Sequence, residues 1–296
     1  MKDEIIDCLA YNGKVSIKCI SSREIVEKAR KLHDLSPTAS AALGRLLTIT
    51  SIMGYELKTE EASITNQIKG NGPIGILTAV ADSNGNVKGY VGDGKVDLPL
   101  RKSDGKLDGK LDVGGAVGKQ GMLYIIKDLG IGKPYVGMTP IVSGEIAEDF
   151  TNYFATSEQT PTVIALGVLV DKNGIKSAGG YKLSLMPDAG EEEISKIEEQ
   201  IKNIEPVSRM LDENKTLEEI AKIVTGDENL KVLEGTEPTF ECNCSREKCE
   251  KGLIAIGKKE LEDIIKEEEK IQIECNFCNS KYVFTREELQ EIVAKM

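Results

Sequence analysis

Residues 242–278 read CNCSREKCEKGLIAIGKKELEDIIKEEEKIQIECNFC. A Cys-x-Cys pair, Cys242 and Cys244, is followed after thirty residues by a Cys-x-x-Cys pair, Cys275 and Cys278. Zinc takes tetrahedral thiolate and imidazole ligands, and a Cys-x-x-Cys turn presents two sulfurs to one ion. An extended Cys-x-Cys does the same. The only histidine, His33, lies far away in the sequence, so a four-thiolate site for one Zn2+ is the economical reading. Such a set leaves no open position for water, so Lewis-acid catalysis is not expected of it. Around the cysteines, Lys259–Lys266 reads as a helix after Gly257. Ile271–Cys275 and Lys281–Thr285 read as strands, and Thr285-Arg286-Glu287-Glu288 as the cap of a terminal helix. A domain this small has a thin core and needs a staple, which the metal supplies.

Spacing alone leaves two readings open. Most closed four-thiolate sites are static structural clips. Against this, the paired thiols are close enough in sequence to cross-link on oxidation, which would remove ligands and eject the metal. Metal affinity in such a domain is also folding free energy, on the order of 10 kcal/mol or more, so ejection should unfold it. Cys249 reads as a spare thiol on a short helix, with an alternative ligand or competing disulfide partner as the sharper reading. Cys8 and Cys19 read as buried small apolar residues, and His33 as a surface helix residue.

Upstream, Asp188 to about Leu233 is amphipathic. Ile194, Ile197, Ile201 and Ile204 recur three and four apart among Glu and Lys, which predicts a helix with one apolar stripe. Thr216-Leu217-Glu218-Glu219 caps a second helix ending at Gly226. This segment must dock on another surface, or become sticky when released.

The first part is mixed. Ser21-Ser22-Arg23-Glu24 is a capping-box pattern opening a helix to about Leu32. Ser36-Pro37 gives an N-cap and a first-turn proline. The run from Thr38 to about Leu57 reads as a buried helix, and its small residues Ala39, Ser40, Ala41, Ala42 and Gly44 permit close packing. From Ser63 to about Tyr135, short apolar runs alternate with glycine turns, and Asn84-Gly85 is a hairpin signal. An antiparallel sheet with glycine-rich loops follows, including a small duplication at Asp104–Asp112. Further on, Ile146 to about Phe154 reads as a helix, Asp171-Lys172-Asn173-Gly174 as a turn and Tyr181–Leu185 as a strand.

The formal charge of −11 repels phosphate backbones and anionic lipid,. Neither nucleic acid nor membrane is an expected partner. The N-terminus carries early acids and no apolar signal segment, and Val163–Val170 is too short to span a bilayer. A cytoplasmic location follows as the expectation, and seven cysteines there point to metal or redox chemistry rather than a disulfide framework,. An enzyme is poorly supported: no nucleophile motif accompanies the single histidine, and Gly114-Gly115-Ala116-Val117-Gly118 is no phosphate loop. A thiol–disulfide oxidoreductase would need a thioredoxin-like context around Cys275–Cys278. A zinc-ribbon adaptor is opposed by the charge in its nucleic-acid form.

Several longer stretches resemble the 33 kDa chaperonin family, the redox-regulated heat-shock holdases of bacteria. They include Ser36-Pro37-Thr38-Ala39 running into Ala42-Leu43-Gly44-Arg45-Leu46-Leu47, Gly72-Pro73-Ile74-Gly75, Gly114–Gly118, Lys127-Asp128-Leu129-Gly130 and Pro134-Tyr135-Val136-Gly137. Ser143-Gly144-Glu145-Ile146-Ala147-Glu148-Asp149, Ser157-Glu158-Gln159-Thr160-Pro161 and the two cysteine pairs complete the match. The resemblance implies an α+β protein in three parts. These are an N-terminal α/β sandwich-like domain with an antiparallel sheet (1–187), a helical linker (188–235) and a C-terminal zinc-binding redox domain (236–296). It also implies that the reduced, zinc-bound form is inactive and that oxidation pairs Cys242 with Cys244 and Cys275 with Cys278. Zinc then leaves, linker and zinc domain unfold, and a homodimer holds unfolding client proteins without ATP. Clients pass afterwards to an ATP-dependent foldase chaperone.

Overall fold

The computed structural model describes residues 2–103, 106, 107 and 109–296. The Asp104–Asp112 duplication therefore falls partly outside the described residues. The chain forms two compact units, Met1–Glu241 and Cys242–Met296, and is a mixed α+β protein with antiparallel sheets.

In chain order the first unit comprises β1 (Glu4–Ala10), β2 (Val15–Ser21), α1 (Arg23–His33), α2 (Pro37–Tyr55), β3 (Ser63–Gly70), β4 (Ile76–Asp82) and β5 (Val87–Val91). A two-residue hairpin, β6 (Lys102–Ser103) and β7 (Lys106–Leu107), precedes α3 (Val113–Val117), β8 (Gly121–Asp128), β9 (Tyr135–Pro140) and α4 (Ala147–Thr156). Then come β10 (Thr162–Asp171), β11 (Gly174–Leu185), α5 (Glu191–Lys202), α6 (Val207–Asp212), α7 (Leu217–Thr225) and β12 (Lys231–Thr236). One sheet has the order β10-β11-β2-β1-β12 and the other β5-β4-β3-β8-β9.

Helix α2 packs against strands of both sheets. Apart from Arg45, its residues from Thr38 to Gly54 are all buried, as expected of a helix apolar on every side,. Ser36 accepts a hydrogen bond from the Ala39 amide, with Pro37 in the first turn, as the sequence predicts. Gly44 shows why small residues stand here: a Cβ would meet Val26 Cγ1 at 2.7 Å and Val168 Cγ2 at 2.9 Å.

Three local expectations need correction. Helix α1 starts where the Ser21–Glu24 pattern places it, yet Ser22 makes no side-chain cap. Its hydroxyl pairs with Thr48 Oγ1 at 2.7 Å. The carboxylate of buried Asp3 caps the helix instead, accepting from the Glu24 and Ile25 amides at 3.0 and 2.7 Å. The glycine-rich stretch at 113–117 is a short helix, with Asp112 accepting from the Gly115 amide. Strand β11 is longer than Tyr181–Leu185, because small residues from Gly174 onward let it lie against α1 and α2.

The face of the first sheet carrying Ile6, Cys8, Ala10, Val15, Ile17 and Cys19 is covered by α5–α7. Ile197, Val207, Met210, Leu217, Ile220, Ala221 and Val224 join these strand residues in one buried cluster, with Ile201 and Ile204 at its margin. The strand residues alternate with period two and the helix residues with a period near 3.6, so each element contributes one apolar side. Thr216 and Glu219 form a reciprocal capping box on α7, and Gly226, at φ 70°, ends it. The short α6 and strand β12 were not anticipated in this segment.

The second unit contains α8 (Arg246–Ile256), α9 (Lys258–Glu267), β13 (Lys270–Glu274), β14 (Lys281–Thr285) and α10 (Arg286–Ala294). Its buried apolar core is Leu253, Leu261, Phe284, Leu289 and Ile292. A core of that size contributes little net stability by itself.

Candidate metal centre

The strands β13 and β14 form an antiparallel hairpin with Lys281 opposite Glu274. Cys275 and Cys278 occupy its turn, where the Cys278 and Asn279 amides both donate to the Cys275 carbonyl. Asn279 closes the turn at φ 56°, a left-handed conformation that asparagine adopts more readily than most residues,. Cys242 and Cys244 lie in the irregular segment before α8, whose N-cap Ser245 accepts from the Lys248 amide.

These two segments bring four sulfurs together. The Sγ atoms of Cys242, Cys244, Cys275 and Cys278 all lie within 4.8 Å of one another. Cys242 Sγ is 3.7 Å from Cys275 Sγ, and Cys244 Sγ is 3.2 Å from Cys278 Sγ. A tetrahedron with Zn–S bonds of ~2.3 Å has edges of ~3.8 Å. The cluster therefore fits a four-thiolate ion after shifts of a few tenths of an ångström to about an ångström. All four side chains are half-buried, which shields the site without sealing it.

Residues outside the cysteine motifs complete the surroundings. The Tyr282 hydroxyl lies 3.1 Å from Cys244 Sγ, and the Ser280 hydroxyl 3.2 Å from Cys278 Sγ. Burial pushes the Cys242 thiol up to about 12 and raises that of Cys275. At Cys278 burial also acts upward, but hydrogen bonds from Ser280 and the neighbouring thiols outweigh it and bring the group down to about 6. Arg246 ties the start of α8 to the hairpin and α10: its guanidinium stacks 4.2 Å over the Phe284 ring, donates to the Val283 carbonyl and pairs with Glu288. No cysteine spacing points to Tyr282, Ser280 or Arg246. The only sequence signal is the alternation in β14, which puts Tyr282 and Phe284 on one face,.

A family model described as Hsp33 protein matches residues 3–285. The 33 kDa chaperonin of Clostridioides difficile (strain 630) is 47% identical over 296 residues, spanning 100% of both chains. That of Clostridium beijerinckii is 45% identical over 294 residues, spanning 99% of each. The chain belongs to the Hsp33 family. The crystal structure of the 33 kDa chaperonin, heat shock protein 33 homolog, from Thermotoga maritima agrees with a TM-score of 0.90 at 38% identity, covering 100% of this chain and 99% of that one.

Membership of the Hsp33 family implies chaperone function and gives the remaining motifs their structural sense. In Ser143–Asp149, the fully buried Asp149 accepts from the backbone amides of Val142, Ser143, Gly144 and Ile146 and so fixes the loop before α4. In α2, Arg45 donates to Glu145 Oε2 at 2.6 Å and ties that loop to the core helix.

The other candidate residues are not members of the sulfur cluster. Cys249 lies on α8, half-buried against the second unit's core. Cys8 and Cys19 are fully buried in the first unit, and burial raises both thiols. His33 ends α1 with Nε2 3.1 Å from the Gly89 carbonyl oxygen. The Cys275–Cys278 pair sits in a hairpin turn, not at a strand-to-helix junction where a thioredoxin-like dithiol would stand,. Among the described residues, no helix is long and apolar enough to cross a membrane.

Proposed function

We propose that this chain is a redox-regulated, ATP-independent holdase of the cytoplasm. It is inactive while Cys242, Cys244, Cys275 and Cys278 hold one Zn2+, and active once those thiols are oxidised. The reading rests on the convergence of four sulfurs in a unit with a thin core, inside a chaperone family. Bound there, Zn2+ would cross-link the segment at 242–244 to the hairpin turn and so contribute folding free energy to residues 242–296.

Oxidation acts on the cysteines. With a peroxide, one thiolate attacks oxygen to give a sulfenic acid, and the neighbouring thiol displaces its hydroxide as water. Each pair thus loses two electrons and two protons to form a disulfide, and one peroxide becomes two waters. The pairing proposed is Cys242 with Cys244 and Cys275 with Cys278. Cystine sulfur is a poor metal ligand, so the cross-link is lost and the second unit loosens. Segment 188–235 then leaves the sheet face, exposing apolar surface for clients. The active form is proposed to be a homodimer that passes clients to an ATP-dependent foldase.

The test is suppression of aggregation of a heat-unfolded client, measured on reduced zinc-loaded protein and again after peroxide. Activity confined to the oxidised form supports the switch. Equal activity in both forms would leave a static zinc clip.

A further inference from the structure

Strand β12 is the outermost strand of the first sheet and, among the described residues, pairs with β1 alone. Its register runs Ile5 with Thr236 and Ile6 with Gly235, then shifts by one residue to Cys8 with Val232 and Leu9 with Lys231. Almost none of its side chains is buried: Lys231 to Gly235 are all exposed, Val232 at 40% and Leu233 at 38%. What holds β12 is therefore the main-chain ladder along β1, not the identity of its side chains. Gly235 is the exception, since a Cβ there would meet the Ile5 carbonyl oxygen at 2.3 Å.

The same stretch of chain continues to the other sheet. Val87, in edge strand β5, donates to the Thr239 carbonyl and accepts from the Glu241 amide. Phe240, 3% exposed, enters the central core, and Lys28 donates to its carbonyl at 2.8 Å. Residues 231–241 thus form a strap that supplies the outermost strand of the first sheet, on β1, and lies along edge strand β5 of the second. The next residue is Cys242.

We propose that the β1 edge, covered by β12 in this structure, is a seat for an extended segment of an unfolding client once the strap lifts. The inference rests on the holdase reading above and names where one class of partner docks. A sheet edge offers unpaired N–H and C=O groups to any extended chain, and main-chain pairing is indifferent to sequence. That is the kind of contact a binder of many clients needs. The present occupant shows what fits: a six-residue extended strand whose side chains are exposed and whose backbone is paired. The position of the strap next to Cys242 links opening of the seat to the redox site.

The test staples the strap. In Val232→Cys the new thiol stands directly across from Cys8, and mild oxidation with zinc bound should join them. The control is Val232→Cys with Cys8→Ala. Both are then treated with peroxide and assayed for zinc release and for suppression of client aggregation. The proposal expects zinc loss in both, and suppression at least fivefold weaker in the stapled protein. Full suppression by the stapled protein overturns the seat while leaving the holdase reading standing. Absence of suppression in the unstapled control is the separate failure of that reading. Hydrogen exchange on the unaltered chain gives a second readout. The β1 amides should lose protection after peroxide and regain it when client is added; protection unchanged throughout would overturn the seat as well.

Discussion

Cys244 Sγ and Cys278 Sγ lie 3.2 Å apart although their residues are thirty-four positions apart in the chain. Between them run two helices and a strand, so the contact closes the second unit on itself. Cross-links between such distant residues matter most where the rest of the core is thin.

Removal of any one of the four thiols should therefore abolish tight zinc binding. Cys275→Ser is expected to leave less than a tenth of the wild-type zinc content, and Cys249→Ser to leave it unchanged at one ion per chain. Metal analysis after dialysis against a weak chelator checks both. Zinc lost from the Cys249 variant would bring that thiol into the ligand set.

Phe284 carries a large share of the second unit's core and stacks beneath Arg246. Phe284→Ala should cost about 3 kcal/mol or more. Residues 242–296 should then loosen even with zinc present, and activation should need less peroxide. Limited proteolysis of the reduced protein reads the first effect, and an oxidant titration of chaperone activity the second.

Ile220 is fully buried where α7 meets the first sheet. Ile220→Ala should weaken docking of the helical segment by roughly 2–5 kcal/mol, so the reduced protein should show partial client binding. Hydrogen exchange within α7 should rise with it. Wild-type exchange together with elevated activity would mean that release of this segment is not what exposes the binding surface.

Asp3 and Glu27 should leave opposite marks on the pH dependence of stability. Burial pushes the Asp3 carboxyl up to about 6, against its hydrogen bonds from the Ile25 and Glu24 amides. Folded protein thus binds this proton more tightly than the unfolded chain. The contribution is fully present below the unfolded value of about 4 and is lost as pH rises through about 6. Hydrogen bonds from Arg30 hold Glu27 down to about 2 despite burial. Its contribution is present above about 4.3 and lost as pH falls through about 2. Asp3→Asn should compare better with wild type at pH 7 than at pH 4. Glu27→Gln should compare worse at pH 7 than at pH 3. Hydrogen exchange within α1 checks both, and parallel curves would contradict the assignment.

Much of this was legible in the residues. Ser36-Pro37 announces α2 because a cap and a first-turn proline act locally, and the capping box at Thr216 does the same for α7. The four cysteines announce their own cluster because their close Cys-x-Cys and Cys-x-x-Cys spacing suits one tetrahedral ion. The cap on α1 was misread because its acceptor, Asp3, comes from a segment twenty or more residues away, while the nearby Ser22 turns to Thr48. Strand β12 was missed because Lys231–Thr236 has no apolar alternation: its partner supplies the ladder, and its side chains stay in solvent. Tyr282 and Ser280 reach the sulfurs only through the hairpin that brings them there.

The most direct test of the switch follows zinc content, free thiols, helicity and client protection together through a peroxide titration. Loss of one zinc and four thiols in step with falling helical signal and rising suppression of aggregation is the result expected. Client protection that rises before any zinc or thiol is lost, or zinc loss that brings no protection, would contradict it.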